Sequence, residues 1–254
     1  MRLLRGELHK LVKRPATLTT FGIVGLAIAL IYIALGAVAA TLPAGDDRDG
    51  MAGLLTFPDA YRSLIALFPL FGGMALAIYA GLVIGSEWSW GTLRLAFTRG
   101  ELRWRYVLTT FTAIALLALV ALVALFAVGS FAALVAGTFS GFPRGELGDA
   151  ETLVWLPIGL LAAWFGTVVI ASLSFAVSLI ARSQVAGIGL VVALFFGEQF
   201  AALILPPEVL SLLPISAARS VVSADGLLIP AMAGAYLLVA LLVSAIVIER
   251  AEIT

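Results

Sequence analysis

Cysteine is absent from this chain, histidine occurs once, and only two of its fifteen basic residues are lysines. Each shortage removes a class of chemistry. Without cysteine there is no disulfide, no thiolate metal site and no cysteine nucleophile. The single histidine, His9, cannot form a two-histidine zinc motif. It lies in the N-terminal segment, outside the apolar runs where a serine–histidine intramembrane protease would need it, and reads as a solvated interfacial residue. Lys10 follows His9 and Lys13 follows Val12, so the Gly-Lys-Ser/Thr core of a nucleotide-binding loop is missing. Charge is scarce as well: 12% of residues are charged, where soluble domains carry about 25%. Fifteen basic residues balance fifteen acidic ones, which leaves no net basic field to attract nucleic acid. The apolar runs hold too few carboxylates for a catalytic pair or a proton relay. Glu198, beside Gln199, is the main ionisable candidate at membrane depth and marks a possible translocation pathway.

What fills the chain instead is apolar. Hydrophobic residues make up 62% of its 254 residues, and the mean hydropathy is +1.13. A soluble core of this size cannot hide that much apolar surface, so lipid is the expected solvent. Charge-free stretches of spanning length, about 20 residues, occur at 15–45, 63–86, 106–143, 152–181 and 226–248. A sixth, 183–204, is interrupted by Glu198. In lipid the backbone must satisfy its own hydrogen bonds, so these runs predict helices. They are expected near 17–42, 64–85, 107–137, 153–180, 185–204 and 228–248. The first run is far longer than the apolar stretch of a signal peptide and is expected to remain as a span.

Six spans put both termini on one side. Arg2, Arg5, Lys10, Lys13, Arg14, Arg94, Arg99, Arg103, Arg105, Arg182 and Arg250 fall on that side, and only Arg48, Arg62, Arg144 and Arg219 on the other. This distribution predicts cytoplasmic termini. The strong preference for arginine over lysine fits a high-GC bacterial genome, hence a bacterial plasma membrane.

Three segments outside the spans have a pattern of their own. Residues 1–14, which include Arg14, place Leu4, Leu8, Leu11 and Val12 on one stripe, with Arg2, Arg5, Lys10 and Lys13 mostly off it. That is the pattern of an amphipathic helix in the cytoplasmic interface, broken by Pro15; a simple positive-inside anchor is the alternative reading. Residues 205–227 open with Pro206 and Pro207 and are interrupted by Pro214 and Arg219. They are too broken to span and read either as a re-entrant or interfacial helical pair or as an ordinary outer loop. The only substantial cytoplasmic loop reads Gly85-Ser86-Glu87-Trp88-Ser89-Trp90-Gly91-Thr92-Leu93-Arg94, continuing to Arg99 and Gly100. If 87–98 is one helix, Trp90, Leu93 and Phe97 share a stripe against the interface, while Glu87, Arg94 and Thr98 face the cytoplasm. Gly100 would end it. Gly81 and Gly85 add a small-xxx-small pair in the second span.

The Gly-Ser-Glu-Trp-x-Trp-Gly-Thr-Leu-Arg stretch resembles the coupling-helix region of ATP-binding-cassette type-2 exporter permeases. The ordered combination of segments resembles that family's plan over the whole chain. The resemblance implies an all-α integral membrane protein, one permease domain over residues 1–254, with six transmembrane helices. It further implies an N-terminal amphipathic elbow helix (1–14), a cytoplasmic coupling helix between helices 2 and 3 (87–98) and an outer re-entrant segment between helices 5 and 6 (205–227). It also implies a separate ATPase subunit carrying the ATP and magnesium, a second permease chain, and contact with the ATPase through Glu87, Trp88, Trp90, Thr92, Leu93, Arg94 and Arg99. The chain itself would bind no cofactor or metal and catalyse no reaction. The scarcity of polar groups in the spans favours an amphipathic or hydrophobic cargo such as a drug, peptide or lipid. An ion-gradient-driven secondary transporter and a non-transporting membrane anchor of a cytosolic ATPase are the competing expectations.

Overall fold

The structure is a computed structural model describing residues 2–43, 45–98, 102–148, 150–223 and 226–251, with Arg2 and Arg94 described for their backbone alone. Among the described residues the fold is helical throughout, and extended pairing is limited to one isolated bridge between Phe57 and Gly145. The elements are α1 (Arg2–Lys13), α2 (Pro15–Thr41), α3 (Asp46–Leu55), α4 (Asp59–Leu67), α5 (Gly73–Ser89), α6 (Thr92–Thr98), α7 (Arg103–Phe139), α8 (Ala150–Ile180), α9 (Gln184–Ala201), α10 (Pro207–Leu210), α11 (Pro214–Ser220) and α12 (Leu228–Arg250). A π-helical turn, Phe68–Gly72, splices α4 to α5, and a 3₁₀ turn, Val221–Ser223, follows α11.

Six helices are long and apolar enough to cross a membrane: α2, the continuous Asp59–Ser89 rod made by α4 and α5, α7, α8, α9 and α12. These are the six apolar runs of the sequence. Several extend beyond the predicted limits: the second span runs from residue 59 to 89, and α7 reaches 37 residues, or ~55 Å, well beyond a ~30 Å hydrocarbon layer. The shortest, α9, has 18 residues and ends before Pro206 and Pro207, which cannot continue a helix. Pro69 lies inside the second rod, where its missing N–H coincides with the π turn. Pro15, by contrast, starts α2 at its first turn, where that N–H has no helical partner anyway.

The bundle has a centre and a rim. In the apolar window of the Asp59–Ser89 rod 56% of residues are buried, against 17% in α9 and 22% in α12. The rod packs most extensively on α8. Their contact is close because glycine faces serine: a Cβ on Gly81 would lie 2.8 Å from Ser174 Oγ, and one on Gly85 would lie 2.5 Å from the Gln184 backbone nitrogen at the start of α9. The small-residue pair of the second span is thus the seam where α5, α8 and α9 meet.

Contacts sort the loops onto two ends. At one end Lys10 meets Glu87, Arg182 lies over Trp88 and Arg103 donates to the Ala251 carbonyl, so α1 and the last turn of α12 lie at this end. At the other, Phe57 exchanges backbone hydrogen bonds with Arg144 and Glu146, Arg48 donates to the Ser140 carbonyl and Arg62 approaches Glu151. The acidic loop also forms a helix, α3, unforeseen in the sequence; Asp46, Asp47 and Asp49 occupy its first turn, where negative charge complements the helix dipole.

One expected boundary is corrected. Residues 87–98 do not form a single helix. The second span continues through Glu87 and Trp88 to Ser89, and the chain turns at Trp90 and Gly91 before α6 begins at Thr92. Gly91 supplies the turn with a φ of +67°, which a residue with a Cβ adopts poorly. Gly100, expected to end the helix, lies outside the described residues. In the 205–227 segment, the proline-punctuated sequence yields two short helices. Of these, α11 packs on the middle of α8: the Ala218 carbonyl lies against Gly166, ~24 Å along α8 from Ala150.

Candidate functional site

The largest concentration of buried charge lies where α1, the end of α5 and the start of α7 converge. Glu87 is fully buried. One carboxylate oxygen accepts from Lys10 Nζ at 2.6 Å and from Arg14 at 3.5 Å. The other accepts from the Tyr106 hydroxyl at 2.9 Å. Lys10 also pairs with Glu7 at 2.6 Å and donates to Tyr106 at 3.2 Å. Glu7, itself buried, accepts from the Thr110 hydroxyl at 3.4 Å. Two carboxylates and two cations therefore interlock with two hydroxyls. Their formal charges cancel, as burial requires.

The sequence explains how α1 reaches this position. Leu11 is fully buried, and Leu4 and Leu8 pack on the same core cluster. The predicted stripe thus seats α1 against the bundle, chiefly along α7. Val12, grouped with that stripe in the sequence, is 62% exposed. Arg5, His9 and Lys13 are also exposed. Lys10 and Arg14 depart from the expected solvated face, because they turn inward to meet Glu87.

Around the turn after Ser89 the side chains divide. Thr92 donates to the Glu87 carbonyl at 3.2 Å, tying α6 to the end of α5. Leu93 is completely buried. Phe97, one turn later, meets Tyr106 edge-on at 6.0 Å. Trp88 is half-buried beneath the Arg182 guanidinium, 4.7 Å from its ring centre. Trp90 and Leu95 face outward, 69% and 58% exposed. The expectation that Glu87 faces the cytoplasm is therefore corrected: it lies on the spanning helix before the turn and points into the bundle. Trp90 is likewise separated from Leu93 and Phe97 by the left-handed turn at Gly91. Arg99 lies outside the described residues.

Glu198 has a different role in the fold. It is buried near the end of α9, and its two carboxylate oxygens accept from the backbone N–H groups of Ile215 and Ser216, at 2.8 and 2.7 Å, and from the Ser216 hydroxyl at 2.7 Å. These N–H groups belong to the first turn of α11, which lacks a capping side chain of its own. Glu198 thus caps α11 from another helix, while Gln199 is exposed. Among the described residues no three His, Asp or Glu side chains gather as a metal site.

Glu7, Tyr106 and Thr110 were missed by sequence reasoning. For Glu7 a signal was present: it sits between Leu4 and Leu11 at helical spacing, and a carboxylate on an apolar stripe implies a buried partner. Tyr106 and Thr110 gave no such sign.

Residues 42–253 match a protein family described as a protein of unknown function (DUF2705). The chain belongs to that family. The match covers α3 to α12 and takes in Glu87, Tyr106 and Thr110, while Glu7, Lys10 and Arg14 precede it. No curated protein matches the chain.

Proposed function

We propose that this chain is the permease subunit of an ATP-driven exporter, carrying an amphipathic or hydrophobic cargo and worked by a separate ATP-binding-cassette ATPase. The observation that carries the reading is the Lys10–Glu87–Tyr106 interlock. It binds the N-terminal helix to the ends of the second and third spans, and α6 hangs from the same point through Thr92. Force applied to α1 or α6 therefore reaches three spans together. Trp90 and Leu95 are the exposed apolar groups on which a cytosolic protein would seat. The resemblance of residues 85–94 to the coupling region of type-2 exporter permeases supports the same reading, as does the lack of a nucleotide-binding loop in a chain with this architecture. On this reading α1 is the elbow helix, α6 with its preceding turn is the coupling element, and α10 and α11 form the outer re-entrant pair. The membrane is the bacterial plasma membrane, and two permease chains enclose the route.

The test is reconstitution with an ATP-binding-cassette ATPase encoded beside it. ATP-dependent movement of a fluorescent amphiphile, lost when the ATPase is catalytically dead, is the expected result. Hydrolysis with no cargo movement would make the chain an anchor. Movement that follows an ion gradient without the ATPase would make it a secondary transporter.

A further inference from the structure

At the end of the bundle that holds α1, the last turns of α8 and α12 flank a groove of ≈ 300 Å³. Its walls include Ile180 and Ile246, Trp88 lies in its lining, and two arginines, Arg182 and Arg250, border it. Both arginines are exposed. Neither has a carboxylate within ion-pair distance among the described residues. Arg182 is nevertheless held in place. Its backbone has a φ of 54°, an uncommon conformation for a residue with a Cβ, and its guanidinium lies 4.7 Å from the centre of the Trp88 ring. The Trp88 Nε1 is buried without an acceptor. A fixed guanidinium and a second one border one groove whose lining, among the described residues, holds no acidic side chain.

The surface leading away from the groove is the opposite in character. Ile246, Val243, Leu242 and Val239 expose an apolar strip along α12. From Arg250 to Val239 is eleven residues, ~16 Å of helix, about the depth of one leaflet's ~15 Å hydrocarbon layer. Paired cations at the mouth and an apolar strip one acyl chain deep together match one class of ligand. We infer that this groove is a binding site for an anionic phospholipid, its phosphodiester held by Arg182 and Arg250 and an acyl chain lying along α12. Basic pockets between membrane helices recognise such headgroups by the same chemistry. The site depends on the spanning helices and the turn after α8 and stands whether or not the chain is an exporter subunit.

The experiment is a lipid titration of the delipidated full-length protein in detergent, with bound lipid counted by native mass spectrometry. Phosphatidylglycerol is expected to bind about thirtyfold more tightly than phosphatidylcholine, at about fivefold per arginine. Arg182→Gln with Arg250→Gln should erase that preference. Arg105→Gln, at the same end but outside the groove, should keep it. Equal affinities for the two lipids in the unaltered protein would overturn the inference without any variant. So would a preference that survives the double substitution, or one lost equally in the Arg105 variant. Displacement of phosphatidylglycerol by an equal concentration of inorganic phosphate would also overturn it, by making the groove a free-anion site.

Discussion

Glu87 is the residue on which the candidate site turns, and its burial fixes what substitution does. Removing one partner of a buried ion pair leaves an uncompensated charge, at a cost of about 3–5 kcal/mol. Lys10→Met leaves Glu87 with Arg14 and Tyr106, but leaves buried Glu7 with the Thr110 hydroxyl and no cation among the described residues, so the loss spans that range rather than falling below it. Glu87→Ala leaves Lys10 paired with Glu7 and one-third exposed to water, so its loss is smaller than that of a fully buried, unpaired cation. The double variant should be less damaged than the sum of the singles, with a coupling of about 1–3 kcal/mol, measured by thermal unfolding in nanodiscs. Strict additivity would mean that the pair does not form. Glu198 makes a second case. Glu198→Ala removes acceptors from two backbone N–H groups and a hydroxyl, and should loosen α11 by about 2–3 kcal/mol, seen as faster amide exchange at Ile215 and Ser216. Glu198→Gln keeps an acceptor oxygen and should fall between. Unchanged exchange in both variants, with transport lost, would support a pathway role. Both glutamates stood out in the sequence as charges beside apolar runs. Their partners did not, because a carboxylate's need for donors says nothing about which distant residues supply them.

Among the elements, the six spans were legible and the turn between the second and third was not. A charge-free run of twenty residues leaves the backbone in lipid one solution. A loop that alternates Trp, Ser and Gly leaves several, and there the φ of a single glycine decided between one helix and two. Gly91→Ala should therefore strain the turn, by about 1 kcal/mol or more, and displace α6 without altering the spans. The turn also settles which residues a partner can reach. Trp90 and Leu95 are exposed, whereas Leu93 is not. On the exporter reading, Trp90→Ala with Leu95→Ala should weaken ATPase binding at least tenfold, since truncating a central aromatic anchor costs about 2 kcal/mol, and should leave thermal stability intact. Leu93→Ala should do the reverse, because it hollows the inner face of α6. Pull-down and melting curves on the two variants separate these outcomes. The seam between α5 and α9 allows a similar contrast. Gly85→Ala forces a Cβ onto the Gln184 backbone and should cost about 1–3 kcal/mol, while Gly189, with nothing near its Cβ position, should accept alanine at almost none.

For the whole molecule, the sequence's division of basic residues corresponds to a physical division in the fold. Among the described residues, the segments carrying ten of the fifteen basic residues gather at one end, held there by Lys10–Glu87, Arg182–Trp88 and Arg103–Ala251. Arg48, Arg62 and Arg144 lie with α3 and its acidic first turn at the other. The assignment of loops to ends needed only the parity of the spans. What parity leaves open is which end meets the cytoplasm; on the electrostatics of insertion, arginine-rich short segments are expected to stay inside. The chain's lack of cysteine makes this directly measurable, because a single introduced thiol is the only one present. Asp47→Cys, exposed in the first turn of α3, should react with a membrane-impermeant maleimide in intact cells. Thr98→Cys, exposed at the end of α6, should stay unlabelled until the cells are opened. A reversed pattern would place α1 and α6 outside, beyond the reach of any cytosolic ATPase, and would overturn the exporter reading while leaving the fold untouched.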